Sequence, residues 1–180
     1  MLADNDKELI ELFKRDKDRG LQAIMNQYQQ PVYWHIRRLV ISHEDAQDIF
    51  QEVFINVYKY LHNFKEKSKL YTWLYRIATN ECLRFFENKK KQLISTDSLD
   101  SFFINKLSAY DNEDADAILV KFQKAIMTLP EKQRIVFNLR YYDELSYEEI
   151  SEITSSTVQT LKANYHFAKE KVKNYMINNA

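Results

Sequence analysis

The chain has 180 residues, 45% of them apolar and 14% aromatic, and its 26 basic and 26 acidic residues cancel to zero net charge. That is enough apolar material for one medium core or two small ones, but it comes with a single glycine, Gly20, and two prolines, Pro31 and Pro130. Sheet proteins place such residues in tight turns, so an all-α fold is expected; a phosphate-cradling loop, a dinucleotide fingerprint and a nucleophile elbow each need at least two glycines and are excluded.

Taken from the N-terminus, Leu9, Ile10 and Phe13 repeat at helical spacing, and Ala23, Ile24 and Tyr28 repeat again. Pro31 suits the first turn of a further helix carrying Val32, Ile36, Leu39 and Val40. Ser42 stands three residues before Asp45, a variant of the capping-box spacing, and opens a strong helix. Along it Ile49, Val53, Val57 and Leu61 recur every fourth residue beside Phe50, Phe54 and Tyr58, which predicts a wide buried stripe. The opposite side carries Asp48, Gln51, Glu52 and Ile55. By itself such a row reads as a solvated face.

His62 to Lys69 lacks an apolar period and is predicted to be a loop. It leads into the stretch with the densest mixture of rings and cations. Tyr71, Trp73 and Tyr75 fall within five residues, with Lys65, Lys67 and Lys69 before them, Arg76 and Arg84 after, and Lys89, Lys90 and Lys91 at the end. Rings stack on splayed bases while Lys and Arg follow phosphates, so this composition fits single-stranded nucleic acid; a buried aromatic helix with a solvated basic end fits it as well. Trp73, Ile77, Asn80 and Arg84 share one line of the helix. Asn80 has the donor and acceptor needed for a base edge, whereas Arg76 and Arg84 suit phosphates.

Charge divides the chain. Residues 1–92 carry 16 basic and 13 acidic side chains, residues 93–116 carry one and six, and residues 117–180 carry nine and seven. The acidic segment, rich in Ser, Asp and Asn and weakly periodic, is predicted to link two helical domains, 1–92 and 117–180. Leu99, Phe102, Phe103, Ile104 and Leu107 within it leave open a long loop docked on one domain. Beyond it, Ile118, Phe122, Ala125, Ile126 and Leu129 mark an amphipathic helix stopped by Pro130, and Glu131 to Tyr142 forms the next. Ser146 with Glu149 is a full capping box for a short helix bearing Ile150 and Ile153, and Thr157 is a good N-cap for a long helix reaching about Met176. Two helices joined by a short turn, the second longer and basic, form a helix-turn-helix layout in a homeodomain-like or winged-helix-like unit of three to four helices. Lys162, His166, Lys169 and Lys173 share one side of the last helix, bordered by Asn164 and Tyr165, with Leu161, Ala168 and Val172 toward the core.

The single cysteine, Cys82, excludes an intrachain disulfide and a cysteine-based zinc site and reads as packing. His35, His43, His62 and His166 are scattered without metal-helix spacing, and the carboxylates lie on solvated faces. No metal, cofactor or enzymatic activity is expected. Without a signal peptide or long apolar run, the chain is expected to be cytoplasmic, with no membrane insertion.

The co-linear runs DAQDIFQEVF, YTWLYRIATN and LPEKQRIVFNLRYYDELSYEEI resemble the extracytoplasmic-function sigma factors of the sigma-70 superfamily, in the family's order and spacing. The resemblance implies a dissociable RNA polymerase subunit that directs promoter-specific initiation, with catalysis left to the polymerase. It assigns Asp48, Gln51, Glu52 and Ile55 to the clamp region of the β′ subunit, with a second contact between the C-terminal domain and the flap of the β subunit. It assigns Lys65, Lys67, Lys69, Tyr71, Trp73, Arg76, Asn80, Arg84, Lys89, Lys90 and Lys91 to capture and melting of the minus-ten element. Thr157, Lys162, Asn164, Tyr165, His166 and Lys169 go to the minus-thirty-five element. An anti-sigma factor is a further implied partner. The chain departs from the family at Ser155, where glycine is usual, and at Asn164 and Phe167, where arginine is usual, so upstream recognition is expected to be atypical. A stand-alone helix-turn-helix regulator and a structural helical adaptor are the alternatives; the first would leave the Asp48–Glu52 row idle and the second would make the aromatic-basic stretch mere core and surface.

Overall fold

The computed structural model describes residues 4–92 and 117–178. The segment predicted as the linker, with Leu99, Phe102, Phe103, Ile104 and Leu107, lies outside them. The N-terminal domain consists of α1 (Asp4–Arg15), α2 (Lys17–Val40), α3 (His43–Tyr60), a 3-10 turn (Leu61–Asn63) and α4 (Leu70–Gln92). The C-terminal domain consists of α5 (Ala117–Met127), α6 (Glu131–Tyr141), α7 (Tyr147–Thr154) and α8 (Val158–Asn178). No strand occurs among the described residues, so the C-terminal unit is four helices without a wing.

Gly20 is placed by the crossing of α1 and α2. A Cβ there would lie 2.2 Å from the Cα of Phe13, so any side chain would push the helices apart. Asp16 caps α2 by accepting from Arg19 N–H at 3.1 Å. The predicted break at Pro31 does not occur: α2 runs through it for 24 residues. Proline removes one intrahelical hydrogen bond and crowds the preceding turn, but Val32, Ile36 and Leu39 beyond it are fully buried and hold the helix together. The chain then reverses at Ile41, whose φ of 66° is costly for a β-branched residue. That strain is borne by its burial and by an N–H to Arg37 carbonyl bond of 2.9 Å.

Ser42 accepts from Asp45 N–H and starts α3 as expected. Ile49, Val53, Val57 and Leu61 are buried, and so is Phe54, against Leu74, Ala78, Cys82 and Phe86 of the same core. The second row is not buried throughout: Phe50 is half-buried and Tyr58 is exposed, because α2 covers only part of that side. In the second domain Ile126, Leu129, Leu139, Ile150, Leu161 and Ala168 form the interior. The Ser146–Glu149 capping box is complete, and Thr157 accepts from Thr160 N–H at 3.2 Å to start α8.

The two domains pack on each other along α4 with α7 and α2 with α6. Arg134 of α6 is buried there with its guanidinium 5.1 Å from the Phe86 ring of α4. Such a cation over an aromatic face is a stabilising contact when dry.

Candidate polymerase and nucleic-acid interfaces

On α3 the buried stripe turns Asp48, Gln51, Glu52 and Ile55 outward, and all four are exposed. Ile55 keeps 43% of its surface in water. It forms one wall of an apolar groove of about 400 Å³ between α2 and α3, lined also by Leu21, Met25, Phe50, Phe54 and Tyr58. Three carboxylate or amide side chains beside an open apolar groove make a surface that can accept both charged and apolar groups. The periodicity of α3 concealed this groove, because Phe50 and Tyr58 repeat in step with true core residues.

The segment before α4 exposes Lys65, Lys67 and Lys69. It turns at Glu66, whose φ is 55° and whose carboxylate lies 3.4 Å from Lys14 Nζ. The three aromatics that follow are not equivalent. Tyr75 is buried, stacked against His35 at 4.6 Å, with its hydroxyl 3.1 Å from the Pro31 carbonyl. It is core, not a base platform. Tyr71 is half-buried at 4.2 Å from Tyr75, and its hydroxyl pKa is pushed up to about 12, chiefly by desolvation. Trp73 is half-buried with one side on Phe64, 5.4 Å away, which leaves ring surface open.

Farther along α4, Arg76, Asn80 and Arg84 are exposed. Arg84 pairs with Glu81 at 2.9 Å. Lys89 lies 5.4 Å over the Phe85 ring, Lys90 pairs with Glu131 of α6 at 2.6 Å, and Lys91 is exposed. Cys82 is buried, and burial pushes its thiol pKa up, which makes it a poor nucleophile, as the sequence predicts.

On α8, Lys162, His166, Lys169 and Lys173 are exposed, while Asn164 and Tyr165 are half-buried. Tyr165 packs between Phe137 and Tyr147, its centroid 6.0 and 6.4 Å from theirs, and supports the helix more than it offers a surface. Lys162 and Lys169 lie over Tyr147 and Tyr165 at 5.8 and 5.3 Å. Phe167 presents 56% of its surface to water. The turn into α8 passes through Ser155 at φ 56°, ψ 28°, the left-handed conformation that a glycine takes without cost.

Sequence reasoning missed the acceptors that face α2 and α4 from the C-terminal domain. Asp143, Glu149 and Glu131, with the backbone carbonyl of Glu152, contact Arg38, Lys69, Lys90 and Arg76. These partners lie between 41 and 105 residues apart, far beyond any helical period.

Comparison with known proteins decides the family. Residues 24–92 match the family model described as Sigma-70 region 2, and residues 119–172 match Sigma-70, region 4. The chain belongs to the sigma-70 family. Within it, the chain is similar to the extracytoplasmic-function sigma factor SigW of Bacillus subtilis, with 32% identity over 176 residues that span 93% of this chain and 94% of SigW. It is an extracytoplasmic-function sigma factor, a non-enzymatic subunit that works with RNA polymerase and promoter DNA in transcription initiation. A stand-alone regulator or a structural adaptor would have no use for region 2. The fold is similar to that of CnrH in complex with the cytosolic domain of CnrY, at a TM-score of 0.72 and 15% identity over 98% of this chain and all of that one. It is similar also to the sigma factor RpoE in complex with the anti-sigma factor NepR from Bartonella quintana, at a TM-score of 0.66 and 18% identity over 88% of this chain and 98% of that one. Among the described residues, no helix of this sigma factor is long and apolar enough to cross a membrane.

Proposed function

We propose that residues 1–92 bind core polymerase and open the minus-ten element, that residues 117–180 hold the minus-thirty-five element, and that residues 93–116 link the two. The observation that carries this division is the exposed row of Asp48, Gln51, Glu52 and Ile55 beside an apolar groove, set on a different helix from the cations and rings of α4. The row is the acidic and amide partner for basic side chains of the β′ clamp, and the groove takes an apolar side chain beside them. Lys65, Lys67, Lys69, Arg76, Arg84, Lys89, Lys90 and Lys91 meet phosphates, Trp73 and the open edge of Tyr71 stack on unpaired bases, and Asn80 reads one base edge.

On α8, Lys162, His166 and Lys169 approach the upstream duplex, with Asn164 at the margin; Thr157 serves by capping the helix and Tyr165 by supporting it. The C-terminal domain also meets the flap of the β subunit. The setting is the cytoplasm, where transcription takes place, and an anti-sigma factor is a regulatory partner of the kind named for RpoE of Bartonella quintana. Copurification with core polymerase followed by promoter-dependent run-off transcription tests the whole reading. Reversing charge at Asp48 and Glu52 together is expected to abolish copurification with helicity unchanged. Full retention of core affinity would return this row to a solvated surface.

A further inference from the structure

The boundary between the domains is organised around Asp143, in the turn between α6 and α7. Arg38 Nη2 donates to its Oδ1 at 2.5 Å, and the Tyr75 hydroxyl lies 3.3 Å from the same oxygen. His35 Nδ1 stands 3.5 Å from Oδ2, and the His35 and Asp143 side chains are 0% and 7% exposed. Around this centre Lys69 Nζ pairs with Glu149 at 2.8 Å, Lys90 with Glu131 at 2.6 Å, and Arg76 Nε donates to the Glu152 carbonyl at 2.7 Å. In each pair the cation comes from the N-terminal domain and the oxygen from the C-terminal one. Lys69, Arg76 and Lys90 are three of the cations assigned above to the minus-ten strand.

Two further observations bear on what this boundary is for. His35 Nδ1, Arg38 Nε, Thr72 Oγ1 and Asp143 Oδ2 are buried in or beside it without a hydrogen-bond partner. Permanent cores rarely keep so many unmet polar atoms together, and separation of the domains would return each to water. By contrast, Asp48, Gln51, Glu52 and Ile55 on α3 stay exposed while the domains are closed.

We propose that the acidic edge formed by the α6–α7 turn and α7 acts as an intramolecular substitute for promoter phosphate, latched at Asp143. Alone, the chain is shut, with its minus-ten cations occupied; it can dock on polymerase before it can hold DNA. This rests on the assignment of α3 to polymerase and of α4 to DNA. Asp143→Ala and Arg38→Ala, one in each domain and neither assigned to a partner, remove the latch from opposite sides.

The test is small-angle X-ray scattering of the full chain, with binding of the free protein to a fluorescent mixed-sequence single-stranded DNA. Each variant is expected to expand and to bind the DNA about tenfold tighter or more, since apparent affinity scales with the open fraction. The double variant is expected to gain little beyond either single one, as for two partners in one contact. Unchanged dimensions in both variants overturn the latch, and expansion without tighter DNA binding overturns the phosphate substitution. If Asp143→Ala loses helicity, Arg38→Ala decides alone. Scattering reads the latch whether or not polymerase binds, so failure of the polymerase assignment appears separately, as absent copurification.

Discussion

Trp73→Ala separates a ring that holds the fold from a ring that holds a base. A large aromatic side chain buries about 150–250 Å² when enclosed. Trp73 is half-buried, with its contact on Phe64 at 5.4 Å, so truncation uncovers roughly half of that area. At ~25 cal/mol per Å² this costs about 2–3 kcal/mol of stability, below the ~3–5 kcal/mol typical of a fully enclosed Trp. A domain with the usual ~5–15 kcal/mol stays folded. Loss of one base stack costs a further ~1–3 kcal/mol, but only in the open promoter complex, a drop of about 5- to 150-fold in the opening equilibrium. Denaturant unfolding and fluorescence-detected promoter opening with purified polymerase measure the two quantities on the same protein. A loss of more than about 4 kcal/mol in unfolding, or a folded variant that opens the promoter normally, would refute the reasoning.

Three further outcomes are expected. Asn80→Ala should relax preference at one downstream promoter position by about 1–3 kcal/mol and leave the salt slope of binding alone, whereas Lys91→Ala should weaken all promoters alike and flatten the slope by about one unit; equal losses for Asn80→Ala on every single-base promoter variant would show that it reads nothing. Ser155→Gly should raise the melting temperature, because it relieves a left-handed conformation that costs other residues about 1 kcal/mol, and a lower melting temperature would mean the Ser155 side chain contributes more than its backbone strain. Glu149 should make the closed form acid-sensitive. Its carboxyl is held below the ordinary value of 4.5, first by the Lys69 ammonium and then by Ser146, so the contact is complete above that value and is lost as pH falls through the lowered one. Lys69 is raised above 10.5 by the same pair, so the contact is lost again only as pH rises through that higher value. The melting difference between the wild type and Glu149→Gln should therefore be flat from about pH 5 to 10 and vanish in acid; a difference that persists in acid would place its origin outside this carboxylate.

The sequence by itself determined the helical class, the helix-turn-helix order and the family, because those rest on local quantities. Scarcity of glycine, a 3.6-residue period and caps at Ser42, Ser146 and Thr157 act within a few residues of chain, and the motifs are co-linear. It also marked Asp48, Gln51, Glu52 and the cations of α4 as candidates, since residue type and helix face suffice for that. Tertiary structure decided what period cannot resolve. Pro31 lies inside a helix because burial of Val32, Ile36 and Leu39 outweighs one missing hydrogen bond. Tyr75 is core while Trp73 is not, because α2 presses on one side of α4 and leaves the other open. Phe50 and Tyr58 line a groove because α2 covers only part of α3. The Asp143 centre joins residues as far as 108 positions apart, His35 among them. Such a contact exists only through packing of one domain on the other, and no local pattern in a chain encodes a partner at that distance.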